Sequence, residues 1–491
     1  MTGWPARPVI YEINTAVWLD DRSRAAGRRL TLGDVPPADW ASVTPAGTDA
    51  VWLMGVWQRS PAGLAVANAN DELQASFRQA LPDVQPDDVI GSPYCVRSYV
   101  ADEVFGGPDG LAKARRALAD RGVRLVLDYV PNHVAPDHPW TAEHPERFVR
   151  AEESDLEADP AAWINVEGNI LARGRDPYFP PWPDVVQLNA FSPAVRNATA
   201  QTLGDISDQC DGIRCDMAML LTNDVFSKTW GSQVSPPPPE EFWPTVIGLL
   251  RQRHPETVLI AEAYWDLEWE LQQQGFDFCY DKRLYDRLLE TDASAVRSHL
   301  RADIGYQSRL LRFLENHDEP RVAERMTLEA ERAAAIAVAT LPGATLWHEG
   351  QFEGRRVRPP VFLARRPNEP VDQELASWYR TLIAAVETSG MRAGEWRLLD
   401  VTGWPDNQSC ANLLAWSWAG PGADRFLIVV NLSGAPAQGR VMLSWAGLGA
   451  HPWQFTDLLD GTGFVRDATE LQNTGLYVDL GPWRSHVLGL R

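Results

Sequence analysis

Short apolar runs recur along the chain, most of them closing on a polar residue. Eight stand out: Val9–Asn14, Asp49–Met54, Val123–Asp128, Gly212–Asp216, Val258–Glu262, Phe276–Cys279, Leu310–Glu315 and Ala344–Trp347. Continuous rather than alternating hydrophobicity suits parallel strands covered on both faces. Helical periodicity fills the gaps between them. Pro108–Arg121 carries Leu111, Ala114, Arg115 and Leu118 at helical spacing with Gly122 as a stop, and Pro193–Ser207, Glu240–His254, Leu284–Leu300 and Arg321–Ala339 follow. Strand–helix alternation repeated about eight times predicts an α/β fold, the (β/α)8 or TIM barrel, with its active site at the C-terminal ends of the strands.

Two stretches break the alternation. After the third strand, residues 134–186 hold no sustained period and include Asp176-Pro177-Tyr178-Phe179-Pro180-Pro181-Trp182-Pro183. Prolines at that density exclude regular structure locally, and so long a connection inside a compact domain is expected to be functional. It is read as a subdomain inserted over the barrel mouth. From about Met391 the pattern turns to short β-rich segments (411–418, 425–432, 438–445 and 476–481), which predict a C-terminal antiparallel β domain. The expected division is 1–133 and 187–388 for the barrel, 134–186 for the insert and 389–491 for the β domain.

Charge and composition narrow the partners. A formal net charge of −21 leaves no basic surface to displace counterions from nucleic acid or to approach an anionic membrane. No apolar stretch approaches a membrane span, and Met1–Pro8 carries no run that would serve as a signal peptide. Cys95, Cys210, Cys215, Cys279 and Cys410 are scattered and odd in number, which fits thiols in a reducing compartment; the cytoplasm is expected. Nothing in the pattern bears on oligomeric state.

The chemistry gathers at strand ends. Asp128-Tyr129-Val130-Pro131-Asn132-His133, Gly212-Ile213-Arg214-Cys215-Asp216, Ala261-Glu262-Ala263 and Glu315-Asn316-His317-Asp318 each close a strand. Side chains two apart on a strand share a face, so Arg214 should point with Asp216 and favour its ionised form. Glu262 ends an apolar run, where partial burial would raise it toward the range of a general acid. Each segment alone could be a helix cap or a packing motif; four in order on one barrel mouth point to catalysis by paired carboxylates.

Together these segments resemble the four signature regions of glycoside hydrolase family 13, the α-amylase family, over Tyr11 to about Pro360. Val186-Gln187-Leu188-Asn189 resembles a further family region, the insert sits where that family carries its domain B, and the tail is similar to its C-terminal β-sandwich. The resemblance implies Asp216 as nucleophile, Glu262 as acid/base and Asp318 as the third carboxylate that holds and distorts the sugar. It further implies Arg214 orienting Asp216, His133 and His317 bonding the sugar before the scissile bond, and Tyr94 stacking on it. The expected partner is a carbohydrate. The expected activity is a retaining hydrolase of α-glucosidic bonds in oligo- or polysaccharides, working by double displacement through a covalent glycosyl-enzyme. Alternatives are a transglycosylase or isomerase on the same scaffold (a glucanotransferase, a maltosyltransferase or a trehalose-forming enzyme) and a non-catalytic sugar binder.

The sequence departs from the family pattern in places. Many members have Lys-His shortly after the nucleophile, where this chain has Met217-Ala218-Met219-Leu220. That weakens the case for a long-glucan endo-amylase and for calcium, a hard cation wanting several oxygens; no cofactor and no metal ligand is expected, with calcium as the alternative. Cys95 stands where exo-acting α-glucosidases commonly have an Asp, and Asp137-His138-Pro139-Trp140 is faintly similar to maltosyltransferases. Tyr178, Phe179 and Trp182 are read first as packing under the proline-rich loop, and alternatively as a sugar-stacking wall. His348-Glu349-Gly350 with Arg355 and Arg356 would line the pocket or form a salt-bridged rim.

Overall fold

In the computed structural model, residues 3–490 are described apart from 421–423, 444, 446–447 and 450. The expected strands form: β1 (Val9–Asn14), β2 (Ala50–Met54), β3 (Arg124–Tyr129), β4 (Gly212–Cys215), β5 (Val258–Ala261), β6 (Phe278–Tyr280), β7 (Leu310–Arg312) and β8 (Ala344–His348). They pair in parallel and in chain order, and β8 closes on β1 through Val9↔Thr345. The chain folds as a TIM barrel.

Alternation within each strand decides what enters the barrel. Ile10, Ala50, Trp52, Val126, Ile260, Leu311 and Leu346 pack into one interior cluster, while Ile13, Val51, Leu125, Leu127, Ile213 and Leu259 pack outward under the helices. Both sets are apolar because both faces are covered. The inward parity, continued toward the C-terminal ends, reaches Glu12 on β1, Asp128 on β3, Arg214 on β4 and Tyr280 on β6. One step past their strands it reaches Asp216 and Glu262.

Two expected helices are each split in two. The period over 284–300 is carried by Lys282–Leu289 and Ala293–Leu300, broken where Thr291 turns to φ 55° and Asp292 caps the second helix through Ala295 N–H at 2.9 Å. That over 321–339 is carried by Val322–Arg325 and Leu328–Thr340, the latter capped by Thr327. In both cases a short polar side chain that satisfies free N–H groups starts a new helix inside an unbroken apolar period.

After β3 the chain leaves the barrel. His133–Val134 pairs antiparallel with Val186–Gln187, so the insert enters and leaves side by side. Between them lie a hairpin, Trp163–Val166 with Asn169–Ala172, and short helices at Trp140–Glu143 and Glu153–Ala158. The proline run itself carries no helix or strand. Beyond the 17-residue helix Gln373–Ser389, which no expectation covered, come antiparallel sheets of six and three strands. Leu413, Leu427, Val429 and Leu488 of the larger sheet share a core with Val441 and Val478 of the smaller. Trp418 anchors this region to the barrel by donating from Nε1 to the Thr340 carbonyl at 2.7 Å. The five cysteines are unpaired, and among the described residues no helix is long and apolar enough to cross a membrane.

Candidate active site

Arg214 organises the C-terminal mouth of the barrel. Its guanidinium is wholly buried within 5.2–5.7 Å of the ring centroids of Trp52, Tyr94 and Tyr280, a setting a planar, weakly hydrated cation tolerates. Its Nη1 donates to Asp216 Oδ1 at 2.8 Å and to Asp128 Oδ1 at 3.3 Å, and Nη2 donates to Glu262 Oε2 at 2.6 Å. The expected Arg214–Asp216 contact is present, but the same cation also serves two further carboxylates. Asp128 is fixed from its other side by Trp52 Nε1 (3.1 Å) and Gly55 N–H (3.3 Å). Gly55 sits at φ 79° with space for a Cβ taken by Pro93, 2.7 Å away, so no other residue fits that donor's position.

The two carboxylates expected to react differ in their surroundings. Glu262 also accepts from Met217 N–H (2.7 Å) and from the Tyr264 hydroxyl (2.8 Å), so both its oxygens are engaged. Burial pushes the Asp216 carboxyl up to about 8; Arg214 opposes this, while Glu262, Asp318 and Asp128 add to it. Arg214 favours the ionised form of Asp216 but does not overcome its burial.

The two histidines have different surroundings. His133 is buried, and burial lowers it to about 4, leaving it neutral. Asn132 Nδ2 approaches its Nδ1 at 3.3 Å, which leaves Nε2 to carry the proton. His317 faces Glu12 Oε1 through Nδ1 at 2.5 Å, and through Nε2 it faces Tyr94 Oη at 2.6 Å and Asp318 Oδ2 at 2.9 Å. Burial pushes Asp318 up, but His317 outweighs it and holds the carboxyl at about 2. The cavity these residues enclose, about 360 Å³, is bounded by Tyr94, Asp216, Glu262 and Asp318 and, from the insert, by Trp182.

The Alpha-amylase family model (Alpha amylase, catalytic domain) matches residues 45–357, more than half of the chain. The chain belongs to the alpha-amylase family. It is 30% identical over 365 residues to the alpha-amylase MalA of Haloarcula japonica, covering 72% of this chain and 45% of that protein. It is 25% identical over 301 residues to the α-1,4-glucan:maltose-1-phosphate maltosyltransferase of Burkholderia pseudomallei, covering 58% and 22% respectively. The chain thus spans less than half the length of these two curated relatives. In fold it is similar to the maltogenic alpha-amylase AmyB of Thermotoga neapolitana, with a TM-score of 0.70 at 19% identity, covering 99% of this chain and 98% of that one.

Within this alpha-amylase-family barrel, all seven residues singled out in the sequence (Tyr94, His133, Arg214, Asp216, Glu262, His317 and Asp318) meet at one mouth. The reading of Tyr178 and Phe179 as packing does not hold: they are 58% and 68% exposed. Tyr178 sets its edge on Trp265, with 4.9 Å between centroids. Phe179, Met217, Tyr264 and Trp265 line a second cavity of about 410 Å³ adjoining the first. Met217, Trp265 and Asp266 all have positive φ, and the sharp turns there leave Met217 bordering both cavities and Trp265 lining the second. Trp182 does pack, its ring edge-on to His133, and it also borders the first cavity. His348 and Glu349 belong to a buried ion network: His348 with Glu315 and Arg321, Glu349 with Arg366.

Asn132 Oδ1 and the Asn132 carbonyl both accept from Gln187 Nε2 at 2.9 Å, locking the insert to β3. Four contacts at the mouth were not singled out from sequence: Glu12, Trp52, Tyr264 and Tyr280. Three of them share the inward parity of the barrel strands, and that parity is the signal that could have found them.

Proposed function

We propose that the chain is a retaining glycosidase acting on α-glucosidic bonds, with Asp216 as nucleophile and Glu262 as acid/base. The observation that carries this reading is the Arg214 bridge: Asp216 and Glu262 are tied to one guanidinium, which holds the two carboxyl groups side by side at the barrel mouth, as a nucleophile and an acid/base flanking one bond require. In the first step an Asp216 oxygen attacks the anomeric carbon, the bond to the glycosidic oxygen breaks, and Glu262 delivers its proton to that oxygen. In the second, water attacks the same carbon, gives a proton back to Glu262 and releases Asp216. The Tyr264 hydroxyl, donor and acceptor in one group, can bond Glu262 in either state. Asp318 and the two histidines would hold the hydroxyls of the sugar being transferred. The insert, residues 134–186, supplies Trp182 and Phe179 to the two cavities, and a reducing compartment, the cytoplasm, suits the unpaired thiols.

A second reading, transfer to a sugar acceptor, is favoured by the aromatic cavity beyond Met217. Phe179, Trp265 and Tyr264 offer apolar faces to a pyranose and displace water from the position of attack. The two cations there are already paired, Lys282 with Asp286 and Glu319 and Arg283 with Asp266, which supports an unphosphorylated acceptor.

Proton NMR of fresh product tests the leading reading. The first sugar released from a maltooligosaccharide should be the α-anomer, and mass spectrometry should place a trapped fluoroglycosyl group on Asp216. A β-anomer, or full activity in Asp216→Asn, would sink it.

A further inference from the structure

We propose that Glu12 is a positioning residue of the sugar pocket: from β1, beneath the pocket floor, it fixes His317 as an oriented imidazolium and so supplies a second buried cation beside Arg214. The proposal rests on reading Asp216, Glu262 and Asp318 as the groups that face the sugar.

The hydrogen-bond inventory carries it. Both ring nitrogens of His317 face carboxylate oxygens, Glu12 Oε1 at 2.5 Å and Asp318 Oδ2 at 2.9 Å. Ionised carboxylates only accept, so a proton on each nitrogen answers both of them, and the ring that carries two is the imidazolium; the Tyr94 hydroxyl, 2.6 Å from Nε2, then accepts from the same N–H. Glu12 is completely buried, and its Oε2 has no hydrogen-bond partner among the described residues. A buried carboxylate with one oxygen unanswered is costly unless a charge offsets it, and His317 is the cation in contact. The ring cannot turn away: Tyr94 stacks on it at 5.4 Å and Trp52 meets it edge-on at 5.4 Å.

The five carboxylates thus divide between two cations. Arg214 takes Asp128, Asp216 and Glu262; His317 takes Glu12 and Asp318. The difference between Glu12 and Asp318 is exposure. Glu12 is sealed in the barrel, whereas the Asp318 side chain is 41% exposed, where an entering sugar can draw it away. When it does, Glu12 alone is left in contact to keep the ring protonated, and the Nε2–H passes from Asp318 to a sugar hydroxyl. Burial pushes His317 down, and Asp318 and Glu12 together overcome it, leaving the ring well above the ordinary histidine range. The other groups facing this pair are Asp128 from β3, Arg214 from β4, Tyr280 from β6 and Tyr94 from the loop after β2, with Arg358 bonded to the Asp318 carbonyl.

Histidine-¹⁵N NMR on the full chain, with His317 assigned by its loss in His317→Gln, tests the proposal directly. In the wild type both ring nitrogens should read as protonated at pH 8; in Glu12→Gln, with Asp318 the one carboxylate left in contact, the ring should lose its proton at a lower pH than in the wild type. The basic limb of kcat/KM should move down by about one pH unit in Glu12→Gln, a loss of about tenfold at pH 8 with little change at pH 5. Glu12→Asp, which keeps the charge, should restore the limb. A neutral His317 in the wild type at pH 7 overturns the proposal, and that measurement needs no variant to fold. So does a Glu12→Gln profile parallel to the wild type. Should Asp216→Asn stay active, the reading of the reacting groups fails, while the nitrogen shifts still decide the state of His317.

Discussion

Tyr94 Oη lies 2.6 Å from His317 Nε2, and the two rings stack with 21° between their planes. The pair forms a flat wall across the barrel mouth, and the Tyr94 ring also lies 5.3 Å from the Arg214 guanidinium. Two substitutions separate hydroxyl from ring. Tyr94→Phe keeps the stack and loses one hydrogen bond to a charged group, about 1.5 kcal/mol or more, so kcat/KM should fall about tenfold. Tyr94→Ala also removes the platform and the cation–π contact and should cost about 10²-fold or more. Steady-state kinetics on a short maltooligosaccharide would check this; an Ala variant with wild-type kcat/KM would remove Tyr94 from the site.

Arg214→Lys should be far from conservative. One guanidinium reaches three carboxylates through two nitrogens and lies among three aromatic rings, whereas an ammonium is a compact, strongly hydrated point charge. Lysine could satisfy one or two of the three acids and would leave a buried carboxylate unpaired, which is among the costliest single changes. We expect kcat to drop about 10³-fold and the protein to lose about 2 kcal/mol or more in stability. Denaturant melts together with kinetics would show it. Equal losses of activity with no change in stability would mean that Arg214 acts on the sugar rather than on the carboxylates.

How much of this site was readable in the sequence depends on how each residue is placed. Arg214, Asp216 and Glu262 sit at strand ends and follow from strand parity and residue type alone. Glu12 obeys the same parity, but a single acid inside Val9–Asn14 carries no motif, and its meaning depends on His317, 305 positions away. The second cavity was illegible for a related reason. It joins Phe179 of the insert, Met217 after β4, Trp265 after β5 and Arg283 after β6, and no local pattern connects these segments. The breaks at Thr291-Asp292 and Thr327 were written in plain capping residues, but they fell inside unbroken apolar periods that masked them.

Burial also stores a pH dependence away from the site. Glu331 lies under the helix Gln373–Ser389, and burial raises its carboxyl to about 8 despite a hydrogen bond from the Tyr379 hydroxyl at 2.8 Å. An acid whose folded-state pKa is raised binds a proton that the unfolded chain has already released. Stability therefore falls as pH rises from the ordinary glutamate range toward 8. Glu331→Gln keeps an acceptor for Tyr379 and removes the ionisation. Its melting temperature, relative to the wild type, should gain a few degrees more at pH 9 than at pH 5, read by calorimetry. An equal difference at both pH values would mean that Glu331 is ionised at no cost in the folded protein.

Trp265 offers the sharpest handle on what accepts the glycosyl group. It is held in a left-handed backbone turn (φ 61°), three residues past Glu262, with Tyr178 of the insert against its ring, so it spans the gap between barrel and insert at the edge of the second cavity. A pyranose lying there would find its apolar face covered and water kept from the anomeric carbon. Trp265→Ala should admit water and weaken the acceptor together. The ratio of transfer to hydrolysis, measured by product chromatography with maltose as added acceptor, should fall about tenfold, corresponding to about 1.4 kcal/mol of lost acceptor contact. Hydrolysis of the same donor should fall less than transfer does. If the ratio is unchanged while both rates fall together, Trp265 shapes the turn that places Glu262 and has no part in holding the acceptor.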